Sequence, residues 1–405
     1  MKILLSAYAC EPNKGSEPGV GWNWALEIAR LGHKVWVLTR ANNKVSIDSE
    51  RLNYPEKNNL HFLYYDLPQW ANCWKKGNKG IYLYYFLWQF GAYRLSKKVH
   101  KKENFNLVHH LTFGVIRFSS FMWMLGVPYI FGPVGGGERA PWKLRFGYPI
   151  KGLILDMVRD ILNFLTKFDI ITLMNLRVAN EIYVKTPETM NMIKKKYLKK
   201  AELQLEIGIE TKSNQINFFS ASHQPLRLIF VGRFIYWKGM HIGLLAFAML
   251  SKLDPRVRLT MVGKGPDEKK WRKLVKKLDI NDKVNWTGWI SHHKIKDLYS
   301  EHDVLLFPSL HDSSGNVVLE ALSHSLPVVC LKLGGPGIIV DSSCGYVIPV
   351  MNLNKSLVVE KLASVLIELN FDYMLRNRLK VGAINRSEKF NWSTAVSAVY
   401  KNRKV

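Results

Sequence analysis

Residues 303–330 read DVLLFPSLHDSSGNVVLEALSHSLPVVC. The run Val304–Phe307 is short and apolar, which predicts a strand buried on both faces, and Pro308 ends it. A small polar loop follows up to Gly315, the next apolar residues recur at helical spacing, and Val328–Leu331 predicts another strand. The segment is therefore a strand–loop–helix–strand unit. Its loop lies where the free N–H groups and the positive end of a helix favour a phosphate-bearing ligand.

Two carboxylates, Asp312 and Glu320, frame this loop and its helix. Asp312 precedes the helix, whereas Glu320 lies inside it among apolar residues and needs hydroxyl groups or cations as partners. A single helical Glu is most often an ordinary solvated residue. We expect Ser314 or Asn316 to cap the start of the helix. Two acids placed around a glycine loop indicate more than an ordinary helix.

The layout resembles a known signature: an acid, seven intervening residues, a second acid and then a proline-led strand. It is similar to the E-x7-E motif of retaining glycosyltransferases of family GT4. That family usually has Glu followed by Gly-Phe-Gly, whereas here Asp312 is followed by Ser313, Ser314 and Gly315. The resemblance implies an α/β protein of the GT-B fold, with two Rossmann-like doubly wound domains facing across a cleft. It also implies an enzyme, a glycosyltransferase of the hexosyltransferase type.

A second motif follows the strand predicted at 226–231, where Gly232-Arg233 precedes Trp237-Lys238-Gly239. The resemblance implies that the Arg and the Lys of this loop bind the donor diphosphate. Two cations suit a leaving group that gains negative charge as the sugar bond breaks. A lone Arg on a loop would more often be solvated surface. The resemblance also implies that Glu320 holds the ribose hydroxyls and that Asp312 holds sugar hydroxyls.

The chain opens with a βαβ pattern whose first turn is rich in glycine. The spacing is not G-x-G-x-x-G, and Arg40 rather than an acid follows the second predicted strand, so the pattern does not favour NAD. The resemblance implies that this turn approaches the donor phosphate and the acceptor, with Gly19 among the contacts. A tight turn of any Rossmann-like domain is the alternative interpretation.

Two adjacent histidines end the strand predicted at 106–111. Strand alternation sends His109 and His110 to opposite faces, so only one can serve a site. The resemblance implies a histidine near the reacting carbon, and we predict His110, or His109 if the register differs. The predicted catalytic residues are therefore His110, Asp312, Arg233 and Lys238. The predicted ligands of the nucleotide sugar are Gly19, Gly232, Arg233, Lys238, Ser314, Gly315, Asn316 and Glu320.

Two stretches combine apolar and charged residues, and the sequence does not decide whether they face the protein core or a membrane. Residues 70–102 alternate lysines with aromatics, as at Trp74, Lys75, Lys76, Lys79, Tyr82, Phe86 and Phe90. They predict either a core-facing helix with a basic outer face or an interfacial patch on anionic lipid. Residues 148–175 form an apolar helical stretch, which fits a membrane-facing element as well as core packing.

The composition indicates the kind of binding partner, and the length indicates the number of domains. The 405 residues include 58 Lys and Arg against 32 Asp and Glu, a net charge of +26 that suits anionic partners. The length predicts two domains. We expect an N-terminal acceptor-binding domain at 1–210, a linker at 211–225 and a nucleotide-sugar-binding domain at 226–388. The resemblance implies that a helix at 389–405 packs back on the first domain.

The sequence favours a cytoplasmic protein without structural zinc. The first residues read as a strand rather than as a secretory signal, and no apolar run is long enough for a transmembrane helix. The four cysteines form no C-x-x-C pair. No Asp-x-Asp occurs, so we expect no metal on the diphosphate and no other cofactor.

These features together predict the function. We expect a retaining glycosyltransferase that moves a sugar from a nucleotide-diphosphate donor to a glycan or lipid-linked acceptor. The expected location is peripheral, on the inner face of the cell membrane, in cell-surface polysaccharide or lipopolysaccharide synthesis. A sugar-nucleotide epimerase of the GT-B fold is the alternative. A basic nucleic-acid-binding protein is a weaker one because the sequence lacks a recognised module, so no nucleic-acid partner is expected.

Overall fold

The computed structural model describes residues 1–72, 77, 80–210 and 224–401, and only the backbone of residues 72, 292 and 293. The chain divides into two compact units. The first comprises residues 1–137, 161–208 and the stretch from 392 onward, and the second comprises 138–160 and 209–391. The place of residues 138–160 in the second unit was not predicted from the sequence. Nearly all of the predicted linker, and the residues Trp74, Lys75, Lys76 and Lys79, lie outside the described residues.

The described chain alternates strands and helices almost throughout. The strands are β1 Lys2–Ala7, β2 Lys34–Thr39, β3 Leu60–Tyr64, β4 Leu107–Thr112, β5 Tyr129–Val134, β6 Glu181–Val184, β7 Ala201–Leu203, β8 Arg227–Val231, β9 Arg258–Val262, β10 Val284–Gly288, β11 Val304–Phe307, β12 Val328–Leu331 and β13 Gly345–Ile348. The α-helices are α1 Ser16–Arg30, α2 Lys44–Arg51, α3 Gln69–Asn72, α4 Ile81–Glu103, α5 Ile150–Leu165, α6 Ile170–Val178, α7 Pro187–Met190, α8 Met240–Leu253, α9 Glu268–Lys277, α10 His292–Glu301, α11 Asn316–Ser323, α12 Pro336–Ile339, α13 Lys355–Phe371, α14 Tyr373–Ser387 and α15 Trp392–Tyr400.

In the described part of the first unit, seven parallel strands form one sheet in the order β3-β2-β1-β4-β5-β6-β7. The chain begins in the middle of this sheet and the order reverses between β1 and β4, as in doubly wound folds. β4 is buried along its whole length, as expected for a central strand covered on both faces.

In the described part of the second unit, six parallel strands form a sheet in the order β10-β9-β8-β11-β12-β13. Every residue of β11 is 0% exposed, which confirms the prediction of a strand buried on both faces. β8 and β11 are neighbours, so the order again reverses beside the first strand of the unit. The strand–loop–helix–strand unit predicted from residues 303–330 is β11, α11 and β12.

The cap of α11 was predicted wrongly. Neither Ser314 nor Asn316 caps it: the N-cap residue is Gly315, which makes no side-chain cap. Gly315 has a φ of +80°, and a Cβ there would lie 2.8 Å from Cδ1 of Ile339. The turn needs a left-handed residue without a side chain, so backbone geometry outweighs the usual capping preference.

Helix α4 has one face in the core, as one of the two interpretations of the aromatic stretch predicted, and contact of its other face with lipid stays a prediction. Tyr84, Tyr85 and Trp88 are buried, whereas Tyr82 and Phe90 are exposed. The helix therefore packs one aromatic face into the core of its unit and leaves another at the surface. Within the described ranges, no helix combines the length and the apolar character needed to cross a bilayer.

Candidate functional site

The candidate site lies at the carboxyl edge of the six-stranded sheet, between β8 and β11. β8 has β9 on one side and β11 on the other, so the connections that follow β8 and β11 run to opposite sides of this point. Open parallel sheets bind their ligands in the crevice at such a reversal. The loop after β8 carries Arg233 and Lys238, and the loop after β11 carries Asp312.

Backbone contacts hold these two loops together. The N–H of Leu310 donates to the carbonyl of Trp237 over 2.8 Å. Gly239 has a φ of +71°, and a Cβ on it would clash with the carbonyl oxygen of Pro308. Any residue with a side chain would push the loops apart, so the crossing requires glycine here. The side chains of the two loops are consequently presented by a fixed frame.

Lys238 and Asp312 form an ion pair at this edge. Lys238 Nζ lies 2.5 Å from Asp312 Oδ2, and the two side chains are 15% and 18% exposed. The other carboxylate oxygen, Oδ1, accepts the N–H of Gly315 at 2.9 Å and that of Ser314 at 3.3 Å. Burial opposes the charged carboxyl, but Lys238 and the Gly315 N–H outweigh it and lower the pKa of Asp312. Asp312 is therefore an anion at neutral pH with each oxygen engaged.

Asp312 occupies two of the backbone groups that were predicted to bind the phosphate. In this structure the N–H groups of Ser314 and Gly315 point at the carboxylate of their own loop. In the first turn of α11, the N–H groups of Val318 and Leu319 donate to the Gly315 carbonyl, each over 3.0 Å, so the helix itself engages them. An anion can reach the Ser314 and Gly315 donors only if Asp312 leaves them.

The main chain of Asp312 is held from a third loop. Gly335 N–H donates to the Asp312 carbonyl over 3.0 Å. A Cβ on Gly334 would clash with that same carbonyl oxygen. The sequence analysis assigned no role to residues 334–337 and so missed this support. The signal was available, because the loop directly follows β12, the neighbour of β11 in the sheet.

Arg233 differs from Lys238 in being exposed. Its loop is fixed through its neighbours, since Gly232 N–H donates to Val262 and Phe234 N–H donates to Lys264, each over 3.0 Å. The guanidinium therefore stands on a rigid loop but in solvent. It can approach an anion at the sheet edge without disturbing the core.

Glu320 lies one to two turns along α11 and is partly exposed. Burial raises the pKa of Glu320 to about 7, and the attraction of Lys296 only partly opposes this. The prediction that its face of the helix is not fully wet is consistent with this position. Burial destabilises the ionised form of this carboxyl, so the carboxylate is a strong acceptor of hydrogen bonds from hydroxyl groups.

His311 is a candidate that sequence reasoning missed. It immediately precedes Asp312, and burial lowers its pKa to about 4. Its Nε2 atom is buried and has no hydrogen-bond partner among the described residues. Its position beside the first acid of the motif was the signal. The ring is neutral at physiological pH and presents an unused nitrogen beside the ion pair.

In the first unit, Gly19 lies in the first turn of α1 and not in the preceding turn as predicted, and this end of α1 contacts the residues that follow β4. Gly19 is buried, and a Cβ on it would clash with the carbonyl oxygen of Lys14. Glu17 Oε1 accepts the N–H of Gly114 at 2.8 Å. This bond joins the start of α1 to the loop that follows β4, at the reversal point of the first sheet.

The two histidines of β4 are both fully buried. His109 uses both ring nitrogens, with Tyr400 Oη at 2.7 Å from Nδ1 and the Gly132 carbonyl at 2.6 Å from Nε2. His110 has Ser6 Oγ at 3.4 Å from Nδ1, and its Nε2 has no partner within the described chain. Burial lowers the pKa of His110 to about 3, so the ring stays neutral. Its role near the reacting carbon stays a prediction.

Comparison with known proteins gives a family match for the second unit. Residues 212–383 match the family described as Glycosyl transferases group 1, which is less than half of the chain. The amylovoran biosynthesis glycosyltransferase AmsK of Erwinia amylovora is 29% identical over 150 residues, 35% of this chain and 37% of AmsK. The chain aligns with only about a third of the length of the curated relatives that it matches.

Solved structures match along nearly the whole chain. Sucrose-phosphate synthase from Thermosynechococcus elongatus superposes with a TM-score of 0.65 at 16% identity, over 99% of this chain and 97% of that one. Anabaena HepE in complex with UDP and glucose gives a TM-score of 0.57 at 15% identity, over 99% and 98% of the two chains. The two parallel-sheet α/β units thus have the fold of GT-B glycosyltransferases, which confirms the predicted fold class.

Proposed function

We propose that this protein is a glycosyltransferase that takes its sugar from a nucleotide-diphosphate donor. The observation that carries the proposal is the Lys238–Asp312 ion pair at the reversal point of the second sheet, inside a stretch that matches a glycosyltransferase family. Exposed Arg233 stands on the same loop as Lys238. A diphosphate needs cations to bind and to leave, and this loop supplies two.

Donor binding exchanges the partners of the ion pair. In the unliganded protein, Asp312 compensates the charge of Lys238. The diphosphate takes over Lys238 and attracts Arg233. Asp312 turns to the sugar hydroxyls, and this releases the N–H groups of Ser314 and Gly315 towards a phosphate oxygen. Lys238 stays paired with an anion and Asp312 gains hydroxyl donors in place of the lysine, which limits the cost of moving a buried carboxylate.

Glu320 completes the donor site by accepting hydrogen bonds from the ribose hydroxyls. Its raised pKa reflects a buried carboxylate whose charge Lys296 only partly stabilises before the donor arrives. Hydroxyl donors stabilise the ionised form and lower the pKa again. Nucleotide binding and proton release by Glu320 are therefore coupled.

The transfer proceeds with retention of configuration. The departing phosphate oxygen receives the acceptor proton on the face from which the sugar leaves, so no protein base is required on the opposite face. Lys238 and Arg233 stabilise the charge of the departing diphosphate, so the mechanism uses no metal ion. His110 acts as a neutral ring, because charging it in its buried place is costly.

The acceptor is a glycan or a lipid-linked glycan at the inner face of the cell membrane, in surface polysaccharide or lipopolysaccharide synthesis. The name of AmsK, a glycosyltransferase of amylovoran biosynthesis, supports a polysaccharide product. The net charge of +26 supports an anionic membrane surface as a partner of a cytoplasmic, peripheral protein.

A donor screen tests the proposal. HepE was solved with UDP and glucose, so UDP-glucose heads a panel of nucleotide sugars in a thermal-shift assay, in which bound ligand stabilises the fold. Asp312→Asn should spare the binding of free nucleotide and weaken that of the sugar-bearing donor, whereas Glu320→Gln should weaken both. Equal losses of free-nucleotide affinity would refute this division of roles.

Product assays decide between transfer and the alternative. Nucleotide release that requires a glycan acceptor indicates transfer, and a changed sugar without an acceptor indicates an epimerase instead. The anomeric coupling of the product, measured by NMR, reports the stereochemistry. An inverted linkage would overturn retention and require a base, with Glu138 as the first residue to test.

A further inference from the structure

Helix α5 exposes apolar side chains where an ordinary surface helix exposes polar ones. Its apolar side chains face solvent: Ile154, Val158 and Ile161 are 53%, 47% and 57% exposed. These positions lie at i, i+4 and i+7 and so share one face. Further large apolar side chains of α5 are exposed as well, namely Ile150, Leu155, Met157, Leu162, Phe164 and Leu165. We call this set the α5 apolar face.

The acidic residues of α5 face the protein instead. The Asp156 side chain is 1% exposed, forms an ion pair with Arg159 Nη2 at 3.3 Å and accepts a hydrogen bond from Tyr236 Oη at 3.3 Å. Asp160 lies one turn further and receives Arg145 Nη2 at 2.7 Å. Burial raises the pKa of Asp156 in spite of the two arginines. Buried ion pairs gain little stability for a fold, so core packing does not explain this orientation.

The surroundings of the α5 apolar face carry charge of one sign. The exposed charged side chains between residues 139 and 167 are all basic: Arg139, Lys143, Lys151 and Lys167. Trp142 and Phe146, just before the helix, are 56% and 67% exposed. Aromatic rings beside lysines suit the boundary between lipid headgroups and acyl chains.

We propose that α5 is a membrane-anchoring helix that lies in the plane of an anionic bilayer surface with its apolar face in the acyl boundary. The helix is too short to span a bilayer, but an amphipathic helix buries its apolar face about 5–10 Å deep. A second copy of the chain fits less well, because pairing two such faces would bring like charges together. The inference rests on the membrane location in the proposed function, and it does not depend on sugar transfer.

The test is flotation of the full chain with vesicles of equimolar phosphatidylglycerol and phosphatidylcholine, or of phosphatidylcholine alone. The triple variant Ile154→Gln, Val158→Gln, Ile161→Gln replaces three apolar residues in the middle of the α5 apolar face by polar ones. Its matched control replaces three other exposed apolar residues, Leu253, Met351 and Met374 of the second unit, by Gln. Circular dichroism and thermal unfolding establish that both triple variants fold.

The expected result is a roughly 10- to 100-fold weaker partition of the α5 triple variant into the anionic vesicles, with the control unchanged. Lys143→Gln with Lys151→Gln should weaken binding mainly at low salt, because salt screens the headgroup attraction. Donor binding by thermal shift should be the same in all of these variants, which separates this outcome from that of the proposed function.

Three outcomes would overturn the proposal. The first is a wild-type chain that does not float with anionic vesicles at low salt. The second is an α5 triple variant that partitions as the wild type does, which would place the contact elsewhere. The third is a lipid-free dimer in analytical ultracentrifugation that the α5 triple variant turns into a monomer, which would make the face an interface between copies.

Discussion

Lys238 Nζ and Asp312 Oδ2 lie 2.5 Å apart, although 74 residues separate the two side chains in the chain. Each belongs to a loop at the carboxyl edge of a neighbouring strand, β8 or β11. The cation that the proposed diphosphate requires is therefore already placed and already neutralised before a ligand arrives. In the unliganded site, the ion pair fixes the two side chains and neutralises both of their partly buried charges.

Lys238→Ala should remove transfer activity. The expected loss is about 100- to 1000-fold in kcat/KM with the donor that the screen identifies, because one of two cations on the leaving group is gone. Lys273→Ala, an exposed lysine of α9, is the matched control and should leave kcat/KM unchanged. Full activity in Lys238→Ala would exclude the ion pair from the donor site.

Arg233→Ala should separate activity from stability. Arg233 is exposed, so its loss should change the free energy of unfolding by no more than about 0.5 kcal/mol. Transfer should nevertheless fall about 100-fold, since the arginine contributes to the charge around the diphosphate. Arg272→Ala, on the exposed face of α9, controls for the general loss of a positive charge. Equal kinetics of the two variants would contradict the assignment.

Glu320→Gln should remove a pH dependence of stability. The pKa of Glu320 is raised from its ordinary value of 4.5 to about 7 in the fold. The unfolded chain therefore ionises this group first, and the wild type loses stability as pH rises from about 4.5 to about 7. Above that range the loss is complete and amounts to about 1–3 kcal/mol after allowance for partial exposure.

Urea unfolding of both proteins at about pH 5 and about pH 8 measures this difference. Glu320→Gln should gain stability relative to the wild type at the higher pH and gain less at the lower one. A constant difference between the two proteins would show that the carboxyl of Glu320 does not titrate in this range.

Asp303→Asn should destabilise the second unit strongly. The carboxylate is 1% exposed and lies 3.2 Å from Arg227 Nε and 3.3 Å from Lys380 Nζ. Removing the anion leaves these cations without their partner, which costs about 3–5 kcal/mol for a buried cluster. Asp282→Asn, at an exposed position, should change little. Chemical unfolding of the two variants makes the comparison, and similar midpoints would show that the cluster is not needed for stability.

Local patterns made much of the second unit predictable. Val304–Phe307 is apolar at every position and is bounded by Pro308, so its strand follows from burial alone. The helical spacing that follows Gly315 predicted α11, and the two acids at its start drew attention to the loop. Such signals depend on neighbouring residues only. The cap of α11 was missed because it depends on Ile339 of α12, whose Cδ1 would lie only 2.8 Å from a Cβ at position 315.

The order of the strands and the facing of the helices were decided by the tertiary structure. Only the placement of β8 beside β11 brings Lys238 to Asp312, and no local pattern specifies which strands are neighbours. His109 is likewise engaged by Tyr400, 291 residues away. For residues 148–175 the sequence left core and membrane equally open, since periodicity shows that a helix has two faces. Which face meets solvent depends on its partners, and here Arg145 and Tyr236 draw Asp156 and Asp160 inward and leave the apolar side chains outside.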